Sequence, residues 1–149
     1  RMTIDSTGAV TKPNQPAFQG KLASAQSISA NSNTEVAFAT QIYDQNADFA
    51  SNTFTAPVNG KYLLSYSLYV LSAATAHNYI QVELKTSNRT HYSAFSSEAF
   101  AATIDYFPLS QTTVADMDAN DTVTVKIFYP TGSGLSLDSV SFFSGCLLA

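Results

Sequence analysis

Apolar and polar side chains alternate with a period of two along several short stretches of the chain. In residues 78–86 the apolar positions Ile80, Val82 and Leu84 alternate with polar ones, and residues 123–129 repeat the pattern. A period of two puts successive side chains on opposite faces of a β-strand, whereas a helix repeats its apolar positions every three or four residues. Gly, Pro, Asn and Asp separate the stretches and mark turns. The pattern therefore predicts an all-β protein.

The stretches are numerous enough for two packed antiparallel sheets. Strands are expected at residues 17–22, 35–43, 61–71, 78–86, 91–95, 104–109, 123–129 and 139–148. In the second strand Val36, Phe38 and Ile42 are expected to share one face. Asn59-Gly60 is typical of a hairpin turn, with Gly60 at a positive φ. Because connecting helices are not predicted, the parallel α/β folds of most nucleotide-binding enzymes are excluded.

Residues 1–15 differ in composition from the rest of the chain. They contain Gly8 and Pro13 and few large apolar side chains, so we expect an arm or a linker. The full length of 149 residues suits one domain. We assign residues 16–149 to a single antiparallel β-sandwich.

The strand at residues 61–71 is apolar on both faces. One face holds five large apolar side chains, and the other holds Leu63, Tyr69 and Leu71. A strand that is covered on one side only should be polar on its other side. The second face therefore needs a partner, for which a neighbouring subunit is the simplest candidate. Phe143 and Leu147 of the last strand are predicted to join the same contact.

Charged residues make up 12% of the chain, about half the usual share, and the net charge is −4. Ser, Thr, Asn, Gln and Ala must cover the surface instead, as is typical of extracellular and virion proteins. The absence of a basic patch argues against nucleic-acid binding. No apolar stretch approaches the roughly 18 residues of a membrane span, so membrane insertion is not expected. The single cysteine, Cys146, allows no disulfide within the chain.

The candidate chemistry is sparse. His77 and His91 lack metal-ligand spacing, and no nucleophile, base and orienting group can be assembled, so we predict no catalytic residues and no enzyme. Residues 116–121 open like a calcium loop, but Asp121 replaces the glycine and Ile127 replaces the final glutamate. An EF-hand is therefore rejected in favour of a turn. No cofactor is expected to be required, and a looser calcium site is the alternative to the turn.

Two motifs carry a resemblance to a known family. Phe54-Thr55-Ala56-Pro57-Val58-Asn59-Gly60-Lys61-Tyr62 resembles the central F-x-A-P-x-x-G-x-Y run of complement C1q-like globular heads. Phe143-Ser144-Gly145-Cys146-Leu147-Leu148 is similar to their terminal strand, in which Gly145 is expected to meet a closely packed neighbour. A Tyr43-Asp44 pair ahead of Phe49 also matches. The resemblance implies a jelly roll of the C1q and tumour-necrosis-factor type that assembles as a homotrimer.

The arm carries a second, shorter resemblance. Arg1-Met2-Thr3-Ile4-Asp5-Ser6-Thr7-Gly8 is similar to a segment of bacteriophage tail-fibre and structural proteins, and Gln15-Pro16-Ala17-Phe18 is similar to the entry into their heads. Together the resemblances imply a trimeric tip of a viral fibre, located on the virion or outside cells. The implied partners are a second and third copy of the chain and a receptor on a host cell, either a glycan or a protein.

Recognition is expected in the loops between well-patterned strands, where binding residues concentrate. The candidates lie at and after the turn that follows residue 86, and they are Asn88, Arg89, His91, Tyr92 and Phe95. Two alternatives remain open. The first is a structural trimerisation module of a virion fibre, and the second is a secreted C1q-like binding effector.

Overall fold

The computed structural model describes residues 2–149 as a two-layered β-structure with two short 3₁₀ helices, Thr75–His77 and Ser97–Ala99. The strands, numbered in chain order, are β1 (Thr3–Ile4), β2 (Val10–Thr11), β3 (Ala17–Lys21), β4 (Gln26–Ser27), β5 (Thr34–Glu35), β6 (Thr40–Gln45), β7 (Phe49–Ala50), β8 (Thr53–Thr55), β9 (Gly60–Leu71), β10 (Tyr79–Thr86), β11 (Thr90–Ser96), β12 (Phe107–Met117), β13 (Thr122–Phe128), β14 (Ser136–Leu137) and β15 (Phe142–Leu147). The named strands pair antiparallel. The predicted all-β, antiparallel class is confirmed.

The first sheet, called the long sheet below, is built around β9. Its order is β4-β14-β9-β15-β3-β6, and β12 lies along the free edge of β9. The second sheet has the order β11-β10-β13-β8-β7, and β5 also pairs with β13. The alternation predicted for β9, β10 and β13 is observed, because their predicted inward residues are buried.

The core lies between the two sheets and is rich in aromatic rings. Phe18 of β3 stacks on Phe49 and Phe54 of the second sheet, with ring centroids 4.8 and 4.6 Å apart. Tyr62 and Tyr66 of β9 are fully buried beside them. Burying one side chain of this size contributes roughly 1.5–3 kcal/mol, so this aromatic cluster is a main source of the sandwich's stability.

β12 is longer than the sequence pattern predicts. The expected strand at residues 104–109 is replaced by Phe107–Met117, which pairs with β9 along its whole length. The inward positions of β12 include Gln111 and Thr113, whose side chains give no hydrophobic alternation. Its pairing with β9, and not its own pattern, makes this segment a strand.

The expected strand at residues 35–43 is also wrong in detail. Its residues divide between β5 in the second sheet and β6 in the long sheet. Val36 and Phe38 are buried, but Ile42 is 53% exposed. A register shift between Gln19 and Gly20 of β3 explains this difference, because a bulge changes which β6 side chains face the core.

Asn59-Gly60 does not close a hairpin. It connects β8 in the second sheet to β9 in the long sheet, and Gly60 is not among the glycines with positive φ. A Cβ at Gly60 would lie 2.5 Å from Leu147 Cδ1 and 2.6 Å from Ala149 O. The glycine is therefore needed for the close approach of the C-terminal segment.

Residues 3–11 form a separate hairpin of β1 and β2. The Asp5 carboxylate accepts hydrogen bonds from the Thr7 hydroxyl and the Ala9 and Thr7 amides, and these bonds lower the pKa of Asp5. The amide of Leu147 donates to Pro16 O at 3.0 Å, which ties the entry of the head to β15. The division into arm and head stays a prediction, and Arg1 lies outside the described residues.

Among residues 2–149, no helix has the length and apolar character needed to cross a membrane.

Candidate functional site

The outward side of the long sheet forms a broad surface across five strands. Strand register places its side chains in rows, one of which is Gln45, Ala17, Cys146, Leu63 and Val114. A second row is Tyr43, Gln19, Ser144, Ser65 and Thr112. We call these two rows, with Phe142, Ser67, Ser110 and Tyr69 beside them, the uncharged face.

The uncharged face carries no ionisable acid or base other than tyrosine and Cys146, and the exposed Lys21, which pairs with Phe142, borders it. Its apolar members are accessible in the single chain: Val114 is 53% exposed, Tyr43 50% and Tyr69 37%. Ser65 Oγ and Thr112 Oγ1 lie 2.9 Å apart at its centre, so these hydroxyls satisfy each other. At one end Lys61 Nζ contacts Asp116 Oδ1 at 2.7 Å. The two rows between these charged groups can be buried without desolvating a charge.

Three of the five predicted interface residues lie on this side of the sheet. Leu63, Tyr69 and Leu71 alternate with the buried residues of β9 and so point outward. Their contact with another subunit stays a prediction. The predicted interface role of Phe143 is wrong, because this side chain is fully buried in the core. Its ring centroid lies 5.0 Å from that of Phe18 and 5.7 Å from that of Phe38. Leu147 also packs against the core.

The prediction for β15 exchanged the inward and outward faces of the strand. Phe143 and Leu147 pair with the inward residues Tyr66 and Tyr62 of β9. Their neighbours Phe142 and Cys146 therefore take the outward positions, and Cys146 is a half-buried free thiol. A one-residue change of phase moves every side chain to the other face, and both choices are apolar in this sequence.

Gly145 meets the close neighbour that the motif predicts. A Cβ there would lie 2.8 Å from Leu64 Cδ2, 2.8 Å from Phe18 Cε1 and 3.0 Å from Leu63 O. Since one of these atoms belongs to the backbone, the contact cannot be relieved by a side-chain rotation alone. The glycine therefore lets β15 lie close against the aromatic core.

The outward side of the second sheet is a different surface. Tyr92, Glu83, Lys126 and Glu35 form one row across β11, β10, β13 and β5. The next row is Ala94, Gln81 and Phe128, and the third contains Ser96 and Tyr79. We call these nine residues the mixed face, since aromatic, amide and charged groups alternate on it.

Glu83 is the unusual member of the mixed face. It is 9% exposed although it points away from the core, and its Oε1 accepts hydrogen bonds from Asn33 Nδ2 at 3.0 Å and Gln81 Nε2 at 3.5 Å. No hydrogen bond within residues 2–149 uses its Oε2. Tyr92, directly opposite on β11, is 59% exposed. The sequence pattern marked Glu83 only as an outward residue and gave no sign of this burial.

The predicted receptor residues do not form one surface. Tyr92 lies on the mixed face, and Asn88 and Arg89 lie in the turn between β10 and β11, where Asn88 Nδ2 donates to Asp121 Oδ2 at 2.6 Å. His91 and Phe95 alternate with Tyr92 and point toward the inner side of the sheet. Phe95 packs on Phe107, with ring centroids 4.3 Å apart. His91 and Phe95 are therefore corrected to supporting positions, while a receptor role for the other three stays a prediction.

Asp116 and Met117 end β12, and residues 118–121 form the turn before β13. Asp121 Oδ2 accepts a hydrogen bond from the amide of Asp118 at 2.9 Å, and Asn120 has a φ of 74°. The carboxylate of Asp116 forms an ion pair with Lys61. No group of three or more His, Cys, Asp or Glu side chains within residues 2–149 is placed to hold a metal ion. The calcium alternative stays a prediction without assigned ligands.

His77 is fully buried and has a local structural role. Its Nδ1 accepts a hydrogen bond from the amide of Ala74 at 3.0 Å, and its Nε2 lies 3.1 Å from Ser133 O. The ring also packs edge-on against Tyr129, 4.8 Å away. His77 therefore joins the first 3₁₀ helix to the loop after β13.

Comparisons with known proteins agree with this geometry. The model of the C1q domain family matches residues 17–148. The globular domain of zebrafish complement 1qA protein superposes with a TM-score of 0.64 at 20% identity, over 91% of this chain and 98% of that chain. Murine APRIL at pH 5.0 gives 0.63 at 17% identity, over 90% and 99%. Eiger TNF from S. frugiperda gives 0.58 at 19% identity, over 91% and 92%.

The structural likenesses establish the jelly-roll fold. The search of curated proteins returned no match. C1q domains commonly form trimers and bind ligands, and in general they are binding or structural modules without enzymatic activity. The family model covers both sheets and both motifs that carry the resemblance, so this chain belongs to the C1q domain family.

Proposed function

We propose that this chain is the non-enzymatic receptor-binding head of a homotrimer at the tip of a phage tail fibre. Three copies associate through the uncharged face and present identical outer surfaces to a host cell-surface receptor. The head acts on the virion or outside cells. Three identical sites raise the effective affinity for a surface that displays many copies of the receptor.

The exposed apolar side chains of the uncharged face are the main observation in support of the proposed trimer. It exposes Val114, Tyr43 and Tyr69 in a single chain. Large exposed apolar patches on a soluble domain mark interaction sites. The low charge of this surface matches the composition of interface cores, where charged residues are depleted. The family resemblance supplies the number three, since the sheet itself argues only for a partner.

The arm supports the fibre context. Residues 2–8 of the segment that resembles phage tail-fibre proteins contribute β1 and the turn of the β1–β2 hairpin, and β3 follows this hairpin at Ala17. Leu147 N and Pro16 O join the start of the head to its last strand. A structural trimerisation module and a secreted binding effector are the alternatives, and both share the trimer but differ in receptor binding or in location.

Light scattering tests the trimer. The wild type should have a mass of about 48 kDa, three times the 16.0 kDa of the chain. Val114→Lys should give folded monomers, because the lysine is solvated on one chain but buried without a partner in the trimer, which costs several kcal/mol. Val140→Lys is the matched control: Val140 is 55% exposed and lies in the loop before β15. A monomeric wild type at micromolar concentration would refute the proposal.

Binding to cells tests the receptor role. Labelled trimer should bind saturably to a host bacterium and compete with adsorption of the phage that carries it. The Val114→Lys monomer should bind far more weakly, because it loses the simultaneous attachment of three sites. A trimer that binds no cell would favour the structural module.

A further inference from the structure

We infer that the mixed face binds an uncharged, pyranose-containing glycan between Tyr92 and Tyr79. This inference rests on the proposed receptor-binding function and names the chemistry of its ligand. The site is a shallow platform on the outward side of β10 and β11, and Ala94 and Gln81 form its floor.

The shape of the platform follows from strand register. Tyr92 and Tyr79 stand two rows apart, with the small side chain of Ala94 in the row between them. Since a strand rises about 3.4 Å per residue, two rows of alternate residues place the aromatic side chains about 14 Å apart along the strands. This spacing leaves room for one or two sugar rings above Ala94.

The aromatic side chains can hold the apolar faces of such rings. Tyr92 is 59% exposed, and Tyr79 is braced by Phe128 with ring centroids 6.0 Å apart. A pyranose ring presents C–H groups on one face, and these pack on the electron-rich face of an aromatic ring. The ring of Tyr79 is held in place by its neighbour, so less side-chain freedom is lost on binding.

Glu83 supplies the hydrogen-bonding group. Its Oε1 is occupied by Asn33 and Gln81, which fixes the orientation of the carboxyl group, and its Oε2 has no hydrogen bond within residues 2–149. Oε2 is not among the side-chain oxygens within residues 2–149 that are both buried and unpaired, so it is accessible from the surface and can accept a hydrogen bond from a ligand. Sugar hydroxyls are donors of the right kind, and hydrogen bonds to an ionised acceptor are stronger than neutral ones.

The charges of the surface select an uncharged sugar. Lys126 lies beside Glu83 in its row, and Glu35 follows Lys126. This row carries one positive and two negative groups, Lys85 adds a positive group beyond Glu83 on the side away from the platform, and the chain has a net charge of −4. An acidic sugar would be repelled by Glu83, whereas a neutral one meets both acceptors and donors. The planar amide of Gln81 adds a donor and an acceptor in the floor.

Ligand-detected NMR on the intact trimer tests the inference. The probes are methyl β-galactopyranoside, methyl α-glucopyranoside and methyl N-acetyl-β-glucosaminide, with N-acetylneuraminic acid as the anionic arm. At least one neutral probe should bind with a Kd on the order of 1 mM, as expected for a small ligand on a shallow site. No saturation transfer to any neutral probe, or binding of the anionic probe alone, would overturn the inference.

Variants locate the site. Tyr92→Ala and Glu83→Gln should each raise the Kd at least about tenfold, and Ala94→Ile should do the same by filling the floor. Tyr106→Ala is the matched control, because Tyr106 is 63% exposed but lies outside the mixed face, before β12. Unfolding midpoints within error of the wild type show that the variants fold. Equal losses in Tyr106→Ala, or none in Tyr92→Ala and Ala94→Ile, would place binding elsewhere.

Failure of this inference is distinct from failure of the proposed function. Cell binding that survives glycosidase treatment of the cells but not protease treatment indicates a protein receptor. That result refutes the glycan and leaves the receptor-binding trimer in place. A trimer that binds no cells and no probe refutes both.

Discussion

Phe142 and Phe143 are neighbours in the chain, but β15 sends them in opposite directions. Phe143 pairs with the inward Tyr66 and is fully buried, whereas Phe142 pairs with Ser67 at the edge of the uncharged face. Replacing each with alanine removes the same atoms. The two substitutions should therefore differ in size and in their dependence on protein concentration.

The expected magnitudes follow from the surroundings. Phe143 contacts the aromatic cluster through the rings of Phe18, Phe38 and Phe49, with centroids 5.0, 5.7 and 6.1 Å away. Phe143→Ala leaves a cavity among these rings, and such changes cost about 3–5 kcal/mol. The total free energy of unfolding of a domain of this kind is about 5–15 kcal/mol. Phe142 is half-buried in the single chain, so Phe142→Ala should cost about 1 kcal/mol within one subunit.

Urea unfolding at several protein concentrations separates the two effects. The free energy of unfolding that Phe143→Ala removes should be nearly independent of protein concentration, because the lost contacts lie inside each subunit. The part of the Phe142→Ala loss that comes from weaker association should shrink on dilution, because association stabilises the folded state by mass action only at concentrations where the subunits are bound. Equal, concentration-independent losses would refute the assigned phase of β15, and so would a loss below about 1 kcal/mol for Phe143→Ala.

Two further substitutions test buried polar groups. Tyr129→Phe should lower the free energy of unfolding by about 1–3 kcal/mol, because the buried hydroxyl donates to Ile28 O at 2.9 Å and its loss leaves that carbonyl unpaired; an unchanged urea midpoint would contradict this. Asp48→Asn should stabilise the protein at pH 7 but not below about pH 3.8. Burial and then the neighbouring Asp44 raise the pKa of Asp48, so the folded state favours the protonated form and the wild type loses stability as the pH rises through that raised pKa. Urea midpoints of both proteins at pH 3.5 and pH 7 measure this difference, and a gap that shrinks with rising pH would count against it.

Local patterns in the sequence are sufficient to predict the fold class and the faces of the best-patterned strands. Val123, Val125 and Ile127 alternate with polar residues, so a period of two leaves one choice of inward face, and the structure has it. The motif around Gly145 was equally informative, because a glycine inside an apolar strand implies close packing. These signals are local, and each is read from a few neighbouring residues.

Where the local pattern is ambiguous, long-range strand pairing fixes which side chains face the core. In β15 both Phe142 and Phe143 are apolar, so the choice of inward face depends on the register with β9. β12 is a strand because β9 offers it a partner edge, although Gln111 and Thr113 occupy its inward positions. The burial of Glu83 likewise requires Asn33, which lies 50 residues away in the chain. Such pairings are set by which strands meet in space, and the pattern of any one strand does not contain that information.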